Sequence, residues 1–307
     1  MNRFADALSS GRLLLTAEYL PPRGSDADAV RMFSSALPSE LDAVVVADNP
    51  DVVRSSALSA AVLLTRERCT GVVLSMTTRD RNRIALFSDA LGAAALSVDA
   101  ILCVSGNHQS LGVCPQAAAA NDLDAVQFTR SMKNMILHGS GLNGKQYEPR
   151  IELQVGATAH PYMRPMDLNM VLLKKKVMAG ADFLLTQAVF DLDGFSQWMD
   201  SVRQSGLDKR TAVLPSVLPL PSVQTALGLQ RSQIYGPIPE AIIARISNAG
   251  DAVQEGVAIA AEMAMKLKTI PGVRGIHILG GCESLVSAVI QQSGLQTLNR
   301  KKENLNA

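Results

Sequence analysis

Apolar residues along this chain fall into two alternating patterns: short continuous runs that read as buried strands, and longer segments at helical spacing. The strand-like runs are Leu13 to Leu20, Leu41 to Asp48, Gly71 to Thr78, Ala100 to Gly106, Arg150 to Thr158, Phe183 to Val189, Thr211 to Leu220 and Val273 to Gly281. Helical patterns follow at Asp26 to Ser35, Val53 to Thr65, Arg81 to Leu96, Asp124 to His138, Asp167 to Met178, Leu192 to Ser205, Asp251 to Leu267 and Glu283 to Ser293. Strands that are apolar throughout are covered on both faces, and eight of them, each followed by a helix, predict a (β/α)8 TIM barrel. A doubly wound open sheet would stop at about five to seven strands. No linker or internal repeat divides the chain, so residues 1–298 read as one barrel domain and Asn299 to Ala307 as a polar, frayed tail.

Composition narrows the function classes. With 307 residues and 47% hydrophobic positions the chain can bury a large core, and a formal charge of +1 gives no electrostatic case for nucleic acid. The four cysteines, Cys69, Cys103, Cys114 and Cys282, form no CxxC pair, and the N-terminal residues lack the apolar stretch of a signal peptide. A cytoplasmic protein with reduced thiols and no membrane insertion is the expectation. No His, Cys or carboxylate cluster has metal-ligand spacing, and neither a P-loop nor a Gly-x-Ser-x-Gly elbow is present.

In a barrel of this type the active site lies at the carboxyl ends of the strands. Strand one delivers Glu18, an ionisable group in an apolar run that must be paired, solvated or used. The plain alternative is a strand-end carboxylate paired with Arg23. The other strand ends offer Asp48 and Asn49, Thr77 to Asp80, Ser105-Gly106-Asn107-His108, His160, Thr186-Gln187 and Gly280-Gly281. Singly, such residues are more often caps or turns; Asp80 reads as the N-cap of the helix that follows it. The loop from Asn107 to Leu123 is long for a compact barrel, which marks it as functional or mobile. Within Lys174-Lys175-Lys176, helical spacing turns only one or two lysines toward the rim; the run reads either as a solvated face or as a phosphate contact.

The segments Ala17-Glu18-Tyr19-Leu20-Pro21-Pro22-Arg23, Arg79 to Arg83 leading into Gly92 to Ala95, Lys174 to Ala181, and Thr186-Gln187-Ala188-Val189-Phe190-Asp191 resemble methylenetetrahydrofolate reductases in that order along the chain. The resemblance runs from about Leu13 to Leu295. The stretch Asp48-Asn49 to Arg54 and the loop ending Asn121 to Asp124 are most similar to the short reductases of anaerobic one-carbon metabolism. It implies a flavin-binding barrel, with FAD or FMN, that interconverts 5,10-methylenetetrahydrofolate and 5-methyltetrahydrofolate by hydride transfer. The implied donor is NAD(P)H or an electron-transfer protein of the iron-sulfur kind, and a homo-oligomer is open. By the same resemblance Glu18 is the general acid; Gln187 and Asn107 contact folate; and Asp48, Ser75, Thr77, Ser105, Gly106, His160, Asn169 and Lys176 hold the flavin, Lys176 at its phosphates. If the donor is a protein, the loop after Asn107 and the segment Ser222 to Ile246 border the rim and are the expected docking elements.

The chain departs from the family pattern at four places. Asn107 stands where an aspartate is usual, a change expected to raise the flavin potential and weaken pterin binding; Ser75 replaces a histidine, Asn169 replaces an aspartate, and the stretch His277 to Glu283 lacks the usual Tyr/Thr-Leu-Asn ending. Two function classes therefore stay open: an active reductase, favoured by Glu18 and Gln187, and a flavin- or folate-binding subunit of an electron-transfer or methyltransferase complex with altered or lost reductase activity, favoured by Asn107 and Ser75. A flavin-free barrel that moves methyl groups from folate is the third.

Overall fold

The computed structural model describes residues 2–67, 70–108, 110, 114–141, 144–148, 150–232 and 235–295. Eight parallel strands close into one barrel in chain order: β1 Leu14–Tyr19, β2 Ala43–Val46, β3 Gly71–Thr77, β4 Ala100–Val104, β5 Gln154–Ala159, β6 Phe183–Ala188, β7 Ala212–Val217 and β8 Gly275–Ile278, with β8 pairing back onto β1. The expected TIM barrel is the observed architecture. Each strand is shorter than its apolar run, because the last residues of several runs leave the sheet to build the rim.

Eleven helices surround the sheet among the described residues: α1 Arg3–Ser9, α2 Ala27–Ala36, α3 Ala57–Glu67, α4 Arg83–Ala95, α5 Ala125–His138, α6 Met166–Met178, α7 Leu192–Gln204, α8 Val223–Ser232, α9 Glu240–Asn248, α10 Ala252–Leu267 and α11 Glu283–Ser293. Three of these, α1, α8 and α9, correspond to no predicted helix. The predicted helix at Val53 begins instead at Ala57, since the residues before it form a rim loop. Asn82, not Asp80, caps α4 by accepting from the Ala85 N–H, which leaves Asp80 to pair with Arg79. The tail from Asn299, Cys69, and Gly112 of the long loop lie outside the described residues.

Helix α1 closes the bottom of the barrel. Asn2 caps it by accepting from the Ala5 N–H, and Phe4, fully buried, seats its ring edge-on against Phe183 with centroids 5.0 Å apart. Above it, Leu14, Val45, Val73, Leu102, Leu185 and Leu214 fill the lower interior. Three strands are locked to their predecessors by one device. Asp42, Asp99 and Asp182, immediately before or at the start of β2, β4 and β6, each accept the main-chain N–H of a residue 27 positions earlier: Leu15, Val72 and Val155. At the matching place before β8 stands Arg274; its N–H donates to the Val213 carbonyl, the same main-chain bond that the aspartates make to Leu15, Val72 and Val155.

Side chains alternate across a strand, so inward positions recur at every second residue. Going up the barrel, β1 presents Leu14, Thr16 and Glu18 inward, and β3 presents Val73, Ser75 and Thr77; β7 passes from Leu214 to Ser216 and β8 from Gly275 to His277. The interior thus changes from apolar at the N-terminal end to polar at the C-terminal end within the length of one strand. This gradient fixes where the site is. If α1 is the plug that completes the apolar half, Phe4→Ala costs about 3–5 kcal/mol, read as a lower urea midpoint with an unchanged denaturant slope.

Candidate active site

The polar half of the interior opens into a cleft with a volume of about 280 Å³. It brings together Glu18, Asp48, Ser75, Thr77, Ser105, Gly106, Asn107, His160, Lys176 and Gln187, ten of the eleven residues singled out in the sequence. The eleventh, Asn169, lines an adjoining cavity of about the same volume, which shares Ser105, His160 and Lys176 with the first.

Glu18 is 8% exposed and forms no ion pair among the described residues. The pairing with Arg23 does not form, because Arg23 reaches Asp51 instead, at 3.4 Å. The one hydrogen bond described for the Glu18 carboxylate comes from the Gly280 N–H, 3.0 Å from Oε2, at the turn after β8. Burial raises its pKa, an effect that this N–H and then the charge of Arg54 only oppose. Tyr235 lines the cleft at the same end. Its phenol is held above its usual range, first by the charge of Glu18 and then by burial. The neighbouring Gly236 has φ +97, and a Cβ there would lie 3.2 Å from the Ala188 carbonyl oxygen and 3.4 Å from the Gln187 Cβ, so the Tyr235 loop lies directly on the end of β6. Below Glu18, His277 is 2% exposed and its Nδ1 lies 2.9 Å from the Thr16 hydroxyl.

The wall built by β2 to β4 is charged but internally neutralised. Asp48 accepts from the Thr77 N–H at 2.9 Å and from its hydroxyl at 3.0 Å, and pairs with Arg81 at 2.6 Å. Arg79 pairs with Asp80 and donates to the carbonyls of Asn107 and Asn49. Gly106 has φ +77, and a Cβ would meet Arg79 Cβ at 3.1 Å, so only glycine lets bare backbone face the cleft here. The Asn107 amide donates to the Pro50 carbonyl at 3.4 Å and brings no charge to the wall.

On the opposite wall the pairing of β6 with β7 slips between Leu185 and Ala188. Such a bulge re-aims the residue within it, here Gln187, into the cleft, where it hydrogen-bonds His160. Thr186 is used within the sheet: its hydroxyl donates to the Gln187 carbonyl and accepts from the Ser216 N–H. Of the three lysines, Lys174 and Lys175 face solvent and Lys176 faces inward, donating to the Thr158 carbonyl at 2.6 Å. Burial lowers its pKa to about 8, and among the described residues it pairs with no carboxylate. A half-buried cation without a counter-charge, where two cavities join, suits a phosphate. His160 is exposed to the cleft between them, and partial desolvation by the cleft walls and then the Lys176 charge lower its pKa. Asn169 turns its amide to the carbonyls of His160 and Met163, fixing the loop after β5.

Sequence reasoning missed Tyr235, Thr16 and Arg54, and noted His277 only as part of a strand ending. Thr16 and His277 carry a legible signal, since each is a polar residue at an inward position of an apolar strand. Tyr235 sits in a loop with no periodicity. Among the described residues no group of His, Cys and acidic side chains could hold a metal ion, and no helix is long and apolar enough to cross a membrane.

A family model described as methylenetetrahydrofolate reductase matches residues 3–294, and the chain belongs to that family. Methylenetetrahydrofolate reductase 2 of Saccharomyces cerevisiae is 26% identical over 290 residues, covering 88% of this chain and 45% of the yeast protein. Methylenetetrahydrofolate reductase 1 of Schizosaccharomyces pombe is 29% identical over 154 residues, 47% of this chain and 25% of that protein. The chain therefore spans less than half the length of these relatives. An uncharacterized protein from Clostridium thermocellum, described as binding two copies of 5-methyl-5,6,7,8-tetrahydrofolic acid, superposes with a TM-score of 0.67 over 95% of this chain and 97% of its own, at 13% identity. Identity that low shows the shared fold.

His277 gives the site a signature in stability. Burial lowers its pKa to about 3, so the folded protein keeps it neutral where the unfolded chain, titrating near 6.5, takes up a proton. Its contribution is complete above about pH 6.5 and is lost progressively as the pH falls toward 3. Urea unfolding of wild type and His277→Gln across pH 4 to 7 is expected to show a steeper fall for the wild type, by up to one bound proton; equal slopes would contradict a neutral buried imidazole.

Proposed function

We propose that this barrel interconverts 5,10-methylenetetrahydrofolate and 5-methyltetrahydrofolate using a flavin held in the cleft. The observation that carries the proposal is Glu18: a carboxyl at the mouth of a barrel, buried, in no ion pair among the described residues, with its pKa raised. Such a group keeps a proton available at neutral pH, as a general acid must.

The residues present fit a flavin. Gly106 gives a flat approach to bare backbone, and Lys176 supplies an uncompensated cation for a phosphate beside His160. Ser75, Thr77 and Ser105 would line the ring and its side chain, Asp48 acts from behind Thr77, and Asn169 would hold the loop that carries His160. Bound there, a reduced flavin supplies the hydride. The chain's own part is position and proton control. Glu18 gives its proton to the substrate ring nitrogen that bears the methylene bridge, which opens the five-membered ring and leaves the bridge carbon electron-poor. Gln187, aimed by its bulge, offers an amide that both donates to and accepts from a pterin edge. Tyr235 covers the same end, keeping water from the proton donor. In the direction of methyl oxidation Glu18 takes the proton back.

The folate reading is supported by family membership and by the methyltetrahydrofolate bound to the C. thermocellum protein of the same fold. The donor that reduces the flavin is NAD(P)H or an electron-transfer protein; relatives from plants are named as NADH enzymes. The second reading, a flavin- or folate-binding subunit with altered activity, is favoured by one observation: Asn107 is tied to Pro50 and adds no charge beside the flavin wall.

Flavin-reconstituted protein mixed anaerobically with methyltetrahydrofolate separates the two. The reductase reading predicts bleaching of the flavin band in the wild type and a loss of at least about 100-fold in its rate in Glu18→Gln, the range of a general acid. Bound flavin that stays oxidised in both proteins would favour the subunit reading.

A further inference from the structure

The loop between β2 and α3 carries an ion pair whose placement the reaction does not yet explain. Arg54 has a side chain only 9% exposed. Its Nε and Nη2 donate to the two carboxylate oxygens of Asp51 at 2.9 and 3.0 Å, and its Nη1 donates to the Pro21 carbonyl at 2.9 Å, three residues beyond Glu18. Its main-chain N–H donates to the Asn49 side chain at 2.8 Å, and the Ser55 N–H donates to the Pro22 carbonyl at 2.9 Å. The guanidinium is thus bolted to the strand end that bears the proton donor, and one bidentate carboxylate neutralises it.

We propose that Asp51 and Arg54 form a positioning pair at the strand end that bears Glu18, Asp51 cancelling the charge that the buried Arg54 guanidinium would otherwise bring to the proton donor. The proposal rests on the reading of Glu18 as the proton donor. Its physics is a balance of signs. A bare guanidinium near a buried carboxyl favours the carboxylate and would discharge the acid; a bare carboxylate does the reverse. Burial raises the Glu18 pKa first and the Gly280 N–H opposes it; after these, Arg54 lowers and Asp51 raises it, the directions the balance requires. Asp51 itself is held below the usual carboxylate range, burial being outweighed by its bonds to Arg54. The other groups facing Glu18 come from separate elements: the Gly280 N–H after β8, His277 on β8, Tyr235 from the loop after α8, and, across the cleft, His160 and Lys176. Asp48 is paired with Arg81, and Arg23 reaches Asp51 from the exposed side.

A merely structural clip would respond alike to the loss of either partner. A charge-balancing pair responds in opposite directions. The test is side-chain carboxyl NMR of the full chain labelled with 13C-glutamate, with the Glu18 signal assigned by its loss in Glu18→Gln. Asp51→Asn keeps one acceptor oxygen for Arg54 and is expected to move the Glu18 midpoint down by about one pH unit; Arg54→Met is expected to move it up by a similar amount. The double variant should return near the wild-type midpoint, and Arg54→Lys, which keeps the charge, should stay close to it. Should either single variant fail to fold, Arg54→Lys against the remaining one still reads the sign. Midpoints that move together, or do not move while the wild type titrates high, overturn the pair and leave the proton-donor reading intact. A wild-type midpoint at the ordinary glutamate value overturns both.

Discussion

Closure of the sheet is the constraint on which everything else rests. With β8 hydrogen-bonded back to β1, no strand keeps an unpaired edge, so the main chain is satisfied within the barrel and the inward side chains must satisfy one another. In the lower half they do so by apolar packing under the Phe4 plug. In the upper half they are Thr16, Glu18, Ser75, Thr77, Ser216 and His277, and polar groups taken out of water are tolerated only with partners. Most find one: Thr16 with His277, Thr77 with Asp48, Ser216 with Thr186. Glu18 finds a single N–H. Its shortage of partners among the described residues is a consequence of where the strand alternation puts it, and burial there raises its pKa.

The same accounting separates the two walls of the cleft. Carboxylates and guanidiniums around β2 to β4 cancel in pairs, so that wall is held rigid without presenting net charge. Across from it, Lys176 has burial to lower its proton affinity and, among the described residues, no carboxylate to restore it. One end of the cleft therefore carries a buried carboxyl whose pKa is raised and the other a positive charge, with uncharged backbone at Gly106 and the Gln187 amide between them.

Much of this was legible in the sequence. All eight strands were found because strands covered on both faces are apolar without interruption, and Glu18 stood out as a charge in such a run. The unpredicted helices have local causes. Helix α1 is only seven residues long and shows too few turns for a periodic signal, and α8 and α9 flank Gly236, Pro237 and Pro239, which read as loop. Asp80 was read as a cap because it precedes a helix; the capping role went to Asn82 because Arg79 and Thr77 claim Asp80 first. Tyr235 reaches the site from a loop and Arg54 reaches the Pro21 carbonyl beyond β1 from another, and nothing in local pattern tells which side chain of a loop will fold back over a strand end. Gln187 was found by its motif, but the bulge that aims it depends on register with β7 and is invisible in one strand.

The proposed role of Glu18 requires that it carry a proton in the folded protein at neutral pH. Infrared difference spectroscopy of wild type against Glu18→Gln at pH 7 reads this state directly. A proton donor at Glu18 gives a protonated-carboxyl C=O band that is present in the wild type, shifts in D2O and is missing in the variant. A difference spectrum showing only carboxylate bands at that pH would contradict it.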